Sequence, residues 1–271
     1  MSGQQRAAPK RMPMFRLAAI SAFSKASECL EDLESLDCIA DTSFLIALLY
    51  ELDPFHEEAV QLFDTLADRN VHLYSTVTTR AEYLERQRRI LLAEALMVIR
   101  KETHFEFGRE MRAELTNLKK WIDAQIAKDR PPIPSDRELK RIRELLMGPI
   151  SGHQNAWILM CQSQLRGKLT QAWQRVVDDI GITHIELAEP GTQQLISEKV
   201  TWEKACAISE ETGIGVYDAM ILNMLNCSKI PMIISTDLDF GFAVAASSSG
   251  KVALLPDRLV EKLEKFSICA P

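Results

Sequence analysis

The chain has 271 residues, 46% of them hydrophobic and 26% charged, with a formal net charge of −6. That balance fits one large soluble domain, or one domain carrying a long insertion, and excludes a general electrostatic affinity for nucleic acid. Any nucleic-acid contact would need basic residues gathered locally. The six cysteines (29, 38, 161, 206, 227, 269) form no Cys-x-x-Cys pair, and no histidine stands near them at zinc-finger spacing. Reduced thiols in a cytoplasmic setting are expected. No apolar stretch is long enough to span a bilayer, so no membrane partner is expected. The run Leu17 to Phe23 is short for a signal-peptide core, and no clear cleavage site follows it.

Residues 1–35 read as a basic arm leading into a short helix. Up to residue 27 they hold Arg6, Lys10, Arg11, Arg16 and Lys25 and no acid, as a frayed terminus or a nucleic-acid arm would. Leu36 to Ala40 reads as the first strand. Thr42 to Glu51 follows as a helix that Asp41 or Thr42 can cap. Asp53-Pro54-Phe55-His56 turns into a helix over His56 to Ala67, where Ala59, Val60, Leu62, Phe63 and Leu66 recur at helical spacing. Val71 to Ser75 alternates as a second strand. Thr78 or Thr79 is placed to cap a helix through Tyr83 and Ile90 to Leu92.

From residue 93 to 179 the strand signals fade into charged helical sequence, read as a helical insertion or cap. Pro131 to Pro134 breaks it, Ser135 with Glu138 fits a capping box, and Gly148-Pro149 ends the next helix. One further helix is expected through Trp157, Leu165 and Trp173. The α/β rhythm then resumes, with a strand at Ile182 to Leu187 and a helix over Thr192 to Thr212 that places Trp202, Ala205 and Ile208 on one face. A helix at Val216 to Cys227, strands at Met232 to Ser235 and Val252 to Leu254, and a helix at Asp257 to Phe266 complete the chain. The tryptophans 121, 157, 173 and 202 read as packing residues. Strands separated by helices predict an α/β fold: a mostly parallel central sheet with helices on both faces, built from residues 36–92 and 180–266.

Four carboxylates stand where strands give way to helices, or inside the helix that follows: Asp41, Glu82, Asp218 and Asp237. In a parallel sheet the carboxyl ends of the strands line the ligand crevice. Acids gathered there repel unless a cation lies between them, and hard oxygen ligands suit Mg²⁺ or Mn²⁺. Each acid also has a plainer reading. Asp41 could be a helix cap, Glu82 an exposed helix acid, and Asp237 a turn former. Asp218 resists this, because it stands between Tyr217 and the apolar Ala219-Met220-Ile221, where an unpartnered carboxylate is costly. Asp239 is either a fifth ligand or a solvated turn acid.

Together these segments resemble the PIN (PilT N-terminal) domain family. Asp41-Thr42-Ser43-Phe44-Leu45 with Leu52-Asp53-Pro54-Phe55-His56 is similar to its opening motif. Ser75 to Glu82 is similar to the second motif, Gly213 to Ile221 to the third, and Ser235 to Phe240 to the fourth. The motifs come in family order, and the helical middle is not covered. The resemblance implies a Mg²⁺- or Mn²⁺-dependent endoribonuclease in which Asp41, Glu82, Asp218 and Asp237, with Asp239, hold the metal. Such a site hydrolyses RNA by in-line attack, leaving 5′-phosphate and 3′-hydroxyl ends. Ser43, Ser235 and Thr236 would hydrogen-bond the ligands, their plainer role being capping. Arg80 would contact phosphate, or be a surface arginine. Many members are toxins of toxin–antitoxin pairs, so an antitoxin-like inhibitor protein is a partner the resemblance implies, and compact members often form homodimers. The separation of Asp41 from Asp218 is longer than in compact members, which bears on substrate rather than fold.

Two other classes compete. A non-catalytic PIN-like module would bind RNA or a protein partner, although degenerate members are expected to lose acids that are present here. A haloacid-dehalogenase-type phosphatase wants Asp-x-Asp after the first strand, where this chain has Asp41-Thr42-Ser43. The basic runs Arg86-Gln87-Arg88-Arg89 and Lys140-Arg141-Ile142-Arg143 are interleaved with acids and read as solvated helix faces. His56 reads as a structural residue at a helix start.

Overall fold

A computed structural model describes residues 19–31, 33, 35–101, 107–128, 130–147, 149–150, 154–186, 193–247 and 249–267. The basic residues at 6, 10, 11 and 16 and Cys269 lie outside them. The strands are β1 (Ile20–Ala22), β2 (Asp37–Ala40), β3 (His72–Ser75), β4 (Pro149–Ile150), β5 (Gln154–Asn155), β6 (Thr183–His184), β7 (Met232–Ile234) and β8 (Val252–Leu255). Six of them form one sheet in the order β1-β8-β7-β2-β3-β6, and all its pairs are parallel. β4 and β5 pair separately and antiparallel.

The helices are α1 (Ala26–Glu31), α2 (Thr42–Leu49), α3 (His56–Asp68), α4 (Val77–Lys101), α5 (Arg109–Ile126), α6 (Asp136–Leu146), α7 (Ala156–Gln164), α8 (Lys168–Ile180), α9 (Trp202–Thr212), α10 (Val216–Cys227), α11 (Leu238–Ala246) and α12 (Asp257–Ser267).

The sheet's two faces follow from the two-residue period of a strand. Cys38, Ala40, Leu73, Met232, Ile234 and Leu254 enter one core with residues of α1, α2, α3 and α8. Their neighbours Ile39, Tyr74, Ile233 and Ala253 enter the opposite core with α9, α10 and α11. The expected α/β fold with a parallel sheet and helices on both faces is what the structure has. A third apolar cluster joins the second half of α4 (Leu92, Leu96, Ile99) to α5, α6 and α7, so the middle of the chain has its own helical core. The capping box is present, with the Ser135 side chain accepting from Glu138 N and Glu138 accepting from Ser135 N.

Several elements differ from expectation. The stretch read as arm and helix also holds a strand: Ile20, Ser21 and Ala22 pair with Ala253, Leu254 and Leu255. Three residues carry too little periodicity to announce a strand, and here the ladder supplied by β8 makes it one. The single helix expected through Trp157 and Trp173 is two. They break at Gly167, whose φ of 78° no helix interior adopts. α8 then packs Trp173, Val176 and Ile180 into the sheet's core rather than into the helical cluster before it.

The helix expected over Thr192 to Thr212 is interrupted: residues 194 to 201 are not helical, and α9 begins at Trp202. Thr201 caps that helix, while Ser197 N and Glu198 N donate to Cys227 O and tie the preceding segment to the end of α10. Thr76, rather than Thr78 or Thr79, accepts from a backbone N–H at the start of α4, that of Thr79 at 3.1 Å. Gly241 lets α11 lie close on β8, since a Cβ there would stand 2.4 Å from Leu255 Cδ1.

From β2 the chain moves outward through β3 to β6, then returns to the other side of β2 as β7 and continues to β8. The strand order therefore reverses between β2 and β7. Their carboxyl ends open the crevice in which ligands bind in open parallel sheets.

Candidate metal centre

Asp41 ends β2 at this reversal. Its N–H donates to Ile234 O at 2.9 Å, and its extended backbone (φ −75°, ψ 160°) starts α2. The residue is 3% exposed. Its Oδ2 accepts from Ser43 Oγ at 2.7 Å, from Ser235 Oγ at 2.9 Å and, more weakly, from Ser43 N at 3.4 Å. Cap and ligand are thus both available to one carboxylate, through different oxygens. Oδ1 is buried and has no partner among the described residues. A buried carboxylate oxygen left unpaired costs on the order of 1–3 kcal/mol or more, which is the state a cation would relieve.

Glu82 reaches the same place from α4, nearly two turns beyond the Thr76 cap. Thr42 Oγ1 donates to Glu82 Oε2 at 2.8 Å and holds the carboxylate toward β2. Asp218 comes from the first turn of α10, where Gly215 stands at the cap. A Cβ at Gly215 would lie 3.0 Å from Asp218 Oδ2, so glycine leaves the carboxylate room to fold back. Asp41, Glu82 and Asp218 each offer an oxygen, and the three lie within 4.8 Å of one another.

The electrostatics follow from this crowding. Asp218 is pushed up to about 7, by burial first and then by Asp41, Glu82 and Asp237, with Arg86 opposing. Glu82 is also raised, by burial and by Asp41 against the Thr42 hydrogen bond and Arg86. Asp237 is raised as well, by desolvation in the cleft and by Asp41 and Asp239. The backbone N–H of Asp239 and the Arg86 charge oppose the rise. All three shifts mark a site short of positive charge.

Asp237 is close enough to act on Asp218 but is not among the three that converge. It caps α11, its Oδ1 accepting from Asp239 N at 2.9 Å. Asp239 is exposed and lines a separate hollow with Glu211, Thr212 and Phe242. Ser43 and Ser235 bond Asp41 directly, and their hydroxyls stand 3.1 Å apart. Thr236 contributes through its backbone N–H, which donates to Ser43 Oγ at 2.9 Å. The Arg80 guanidinium lies 5.2 Å from the Trp173 ring centroid, in a hollow with His184 and Glu186. The arginine whose charge reaches the acids is Arg86, one turn along α4 from Glu82. That i,i+4 spacing was a usable signal. His56 is structural: its Nδ1–H donates to Ala47 O at 2.8 Å.

No family model matches the chain, and neither the curated proteins nor the solved structures contain a match to it. Among the described residues, no helix is long and apolar enough to cross a membrane.

Proposed function

We propose that the chain is a PIN-like, divalent-metal-dependent endoribonuclease, with Asp41, Glu82 and Asp218 as ligands and Asp237 at the rim. The observation that carries this reading is Asp41 Oδ1, buried, unpartnered and converging with two further acids at the strand-order reversal. The donors are all hard oxygens, which fits Mg²⁺ or Mn²⁺ and not a thiolate metal.

When bound, such a cation would activate water for in-line attack on a phosphodiester and offset the charge that builds on phosphorus. The chain's own residues prepare for this. Ser43 and Ser235 hold Asp41 Oδ2 and leave Oδ1 for the cation. Thr42 orients Glu82. Asp218, protonated over part of the neutral range, would release that proton to solvent when a cation binds beside it. The toxin role and an antitoxin-like inhibitor rest on the resemblance alone.

The test is cleavage of a mixed structured-RNA pool with Mg²⁺ or Mn²⁺, wild type against Asp41→Asn and Asp218→Asn. Metal-dependent cutting abolished by both substitutions is the expected result. A folded wild type that binds Mn²⁺ yet cuts no RNA would leave a non-catalytic binding module as the reading. No cutting and no Mn²⁺ binding would remove the metal centre altogether.

A further inference from the structure

Beside Glu82, α4 and the starts of α9 and α10 enclose a groove lined by Val77, Glu82, Arg86, Arg89, Trp202 and Tyr217. Two large aromatic side chains are exposed there, Trp202 at 57% and Tyr217 at 64%. Leaving such area in water is unfavourable, and neither ring is needed by the core. Both sit at helix starts, Trp202 next to its Thr201 cap and Tyr217 directly before the ligand Asp218.

The groove's charge is also specific. Glu85, which lines it too, is ion-paired with Arg88, and Arg88 also reaches Asp136. Arg86 and Arg89 make no ion pair or hydrogen bond among the described residues, and Arg89 Nε is buried without a partner. Glu82, Arg86 and Arg89 fall at helical spacing on one face of α4. Glu82 of the acidic centre, two guanidinium groups and two exposed rings therefore line one groove, on a protein whose net charge is −6.

We propose that this groove is a base-binding subsite: Trp202 and Tyr217 offer faces on which unpaired nucleobases stack, while Arg86 and Arg89 hold phosphates of the same strand. This rests on the nuclease reading and adds to it what the groove selects, a single strand with its bases splayed out. Aromatic faces take any base, and paired bases cannot reach them. A protein segment is the competing occupant. The free guanidinium groups beside a phosphodiester site favour the strand.

The experiment measures binding of a labelled single-stranded oligoribonucleotide, and of the same strand with abasic residues, in EDTA at low salt. Wild type should prefer the base-bearing strand by about tenfold or more, the scale of one stacked base. Trp202→Ala with Tyr217→Ala should erase that preference, while Trp202→Phe should keep most of it. Ile158→Ala, an exposed apolar residue on α7, should change nothing. Equal losses for both strands, or no loss, would overturn the subsite, as would a wild type that binds neither strand. Metal-dependent cleavage without the base preference would sink the subsite and spare the nuclease. A base preference without metal-dependent cleavage would do the reverse.

Discussion

Ser235 and Asp41 stand 194 residues apart in the chain, and the serine Oγ donates to the aspartate Oδ2 at 2.9 Å. That bond crosses from β7 to β2 at the reversal of strand order. With Ser43 it commits one oxygen of Asp41 to the protein and leaves the other buried without a partner among the described residues, open to the proposed cation. Substituting Ser43→Ala or Ser235→Ala should therefore weaken Mn²⁺ binding by roughly 10–100-fold, the usual effect of losing a group that orients a ligand. Isothermal titration would read it. Affinity unchanged in both variants would mean that the hydroxyls serve only as caps.

The metal-free protein should be more stable near pH 5 than near pH 8. Unfolded, Asp218 titrates near its ordinary value of 3.8, while in the fold it is pushed up to about 7. Between those values the native state binds more protons than the unfolded state, so stability falls as pH rises through the window. Glu82 and Asp237 are shifted in the same direction. Thermal denaturation in EDTA checks this, and Asp218→Asn should flatten the slope. A melting temperature that rises from pH 5 to pH 8 would contradict the crowded acidic site.

Adding Mn²⁺ should stabilise the fold, by about 2.7 kcal/mol at a hundredfold excess over the dissociation constant. The gain should be larger at pH 8 than at pH 5, because protonated carboxyls compete with the ion. EDTA should reverse it. Differential scanning calorimetry of wild type and Asp41→Asn separates site binding from general salt effects, since the variant should lose most of the shift.

Gly241→Ala should destabilise the protein by roughly 1–3 kcal/mol. The added methyl would meet Leu255 Cδ1 at 2.4 Å, between α11 and β8. Urea denaturation would show a lower midpoint with the slope kept. Leu255→Ala removes a fully buried side chain and is costly by itself, so a double-mutant cycle should show the two losses to be less than additive. A neutral Gly241→Ala would mean that α11 does not pack as tightly as described.

Much of the fold was readable because periodicity is local. The apolar run ending at Ala40, the alternation in Val71 to Ser75 and the helix Val216 to Cys227 lie within a residue or so of where the structure has them. The failures occurred where a distant segment decides local form. Ile20–Ala22 is a strand because β8 pairs with it, and α8 belongs to the sheet because Trp173 finds that core. Trp202 reads as a packing residue by type. Its place on the first turn of α9 leaves it in solvent, which no local spacing announces.

At the site, the residue types and their positions at strand-to-helix turns singled out Asp41, Glu82 and Asp218, and the structure brings these three together. Sequence could not say which of the acids converge. Which acids converge depends on how β2, β7, α4 and α10 are brought side by side, and that arrangement sets Asp237 at the edge and Asp239 in another hollow. The place of Arg86 beside the acids, Arg80 over Trp173, and the two exposed rings in one groove likewise came from packing between segments distant in the chain. Hydrophobic period is a property of neighbours along the chain. Electrostatic crowding and an unpartnered buried oxygen are properties of neighbours in space.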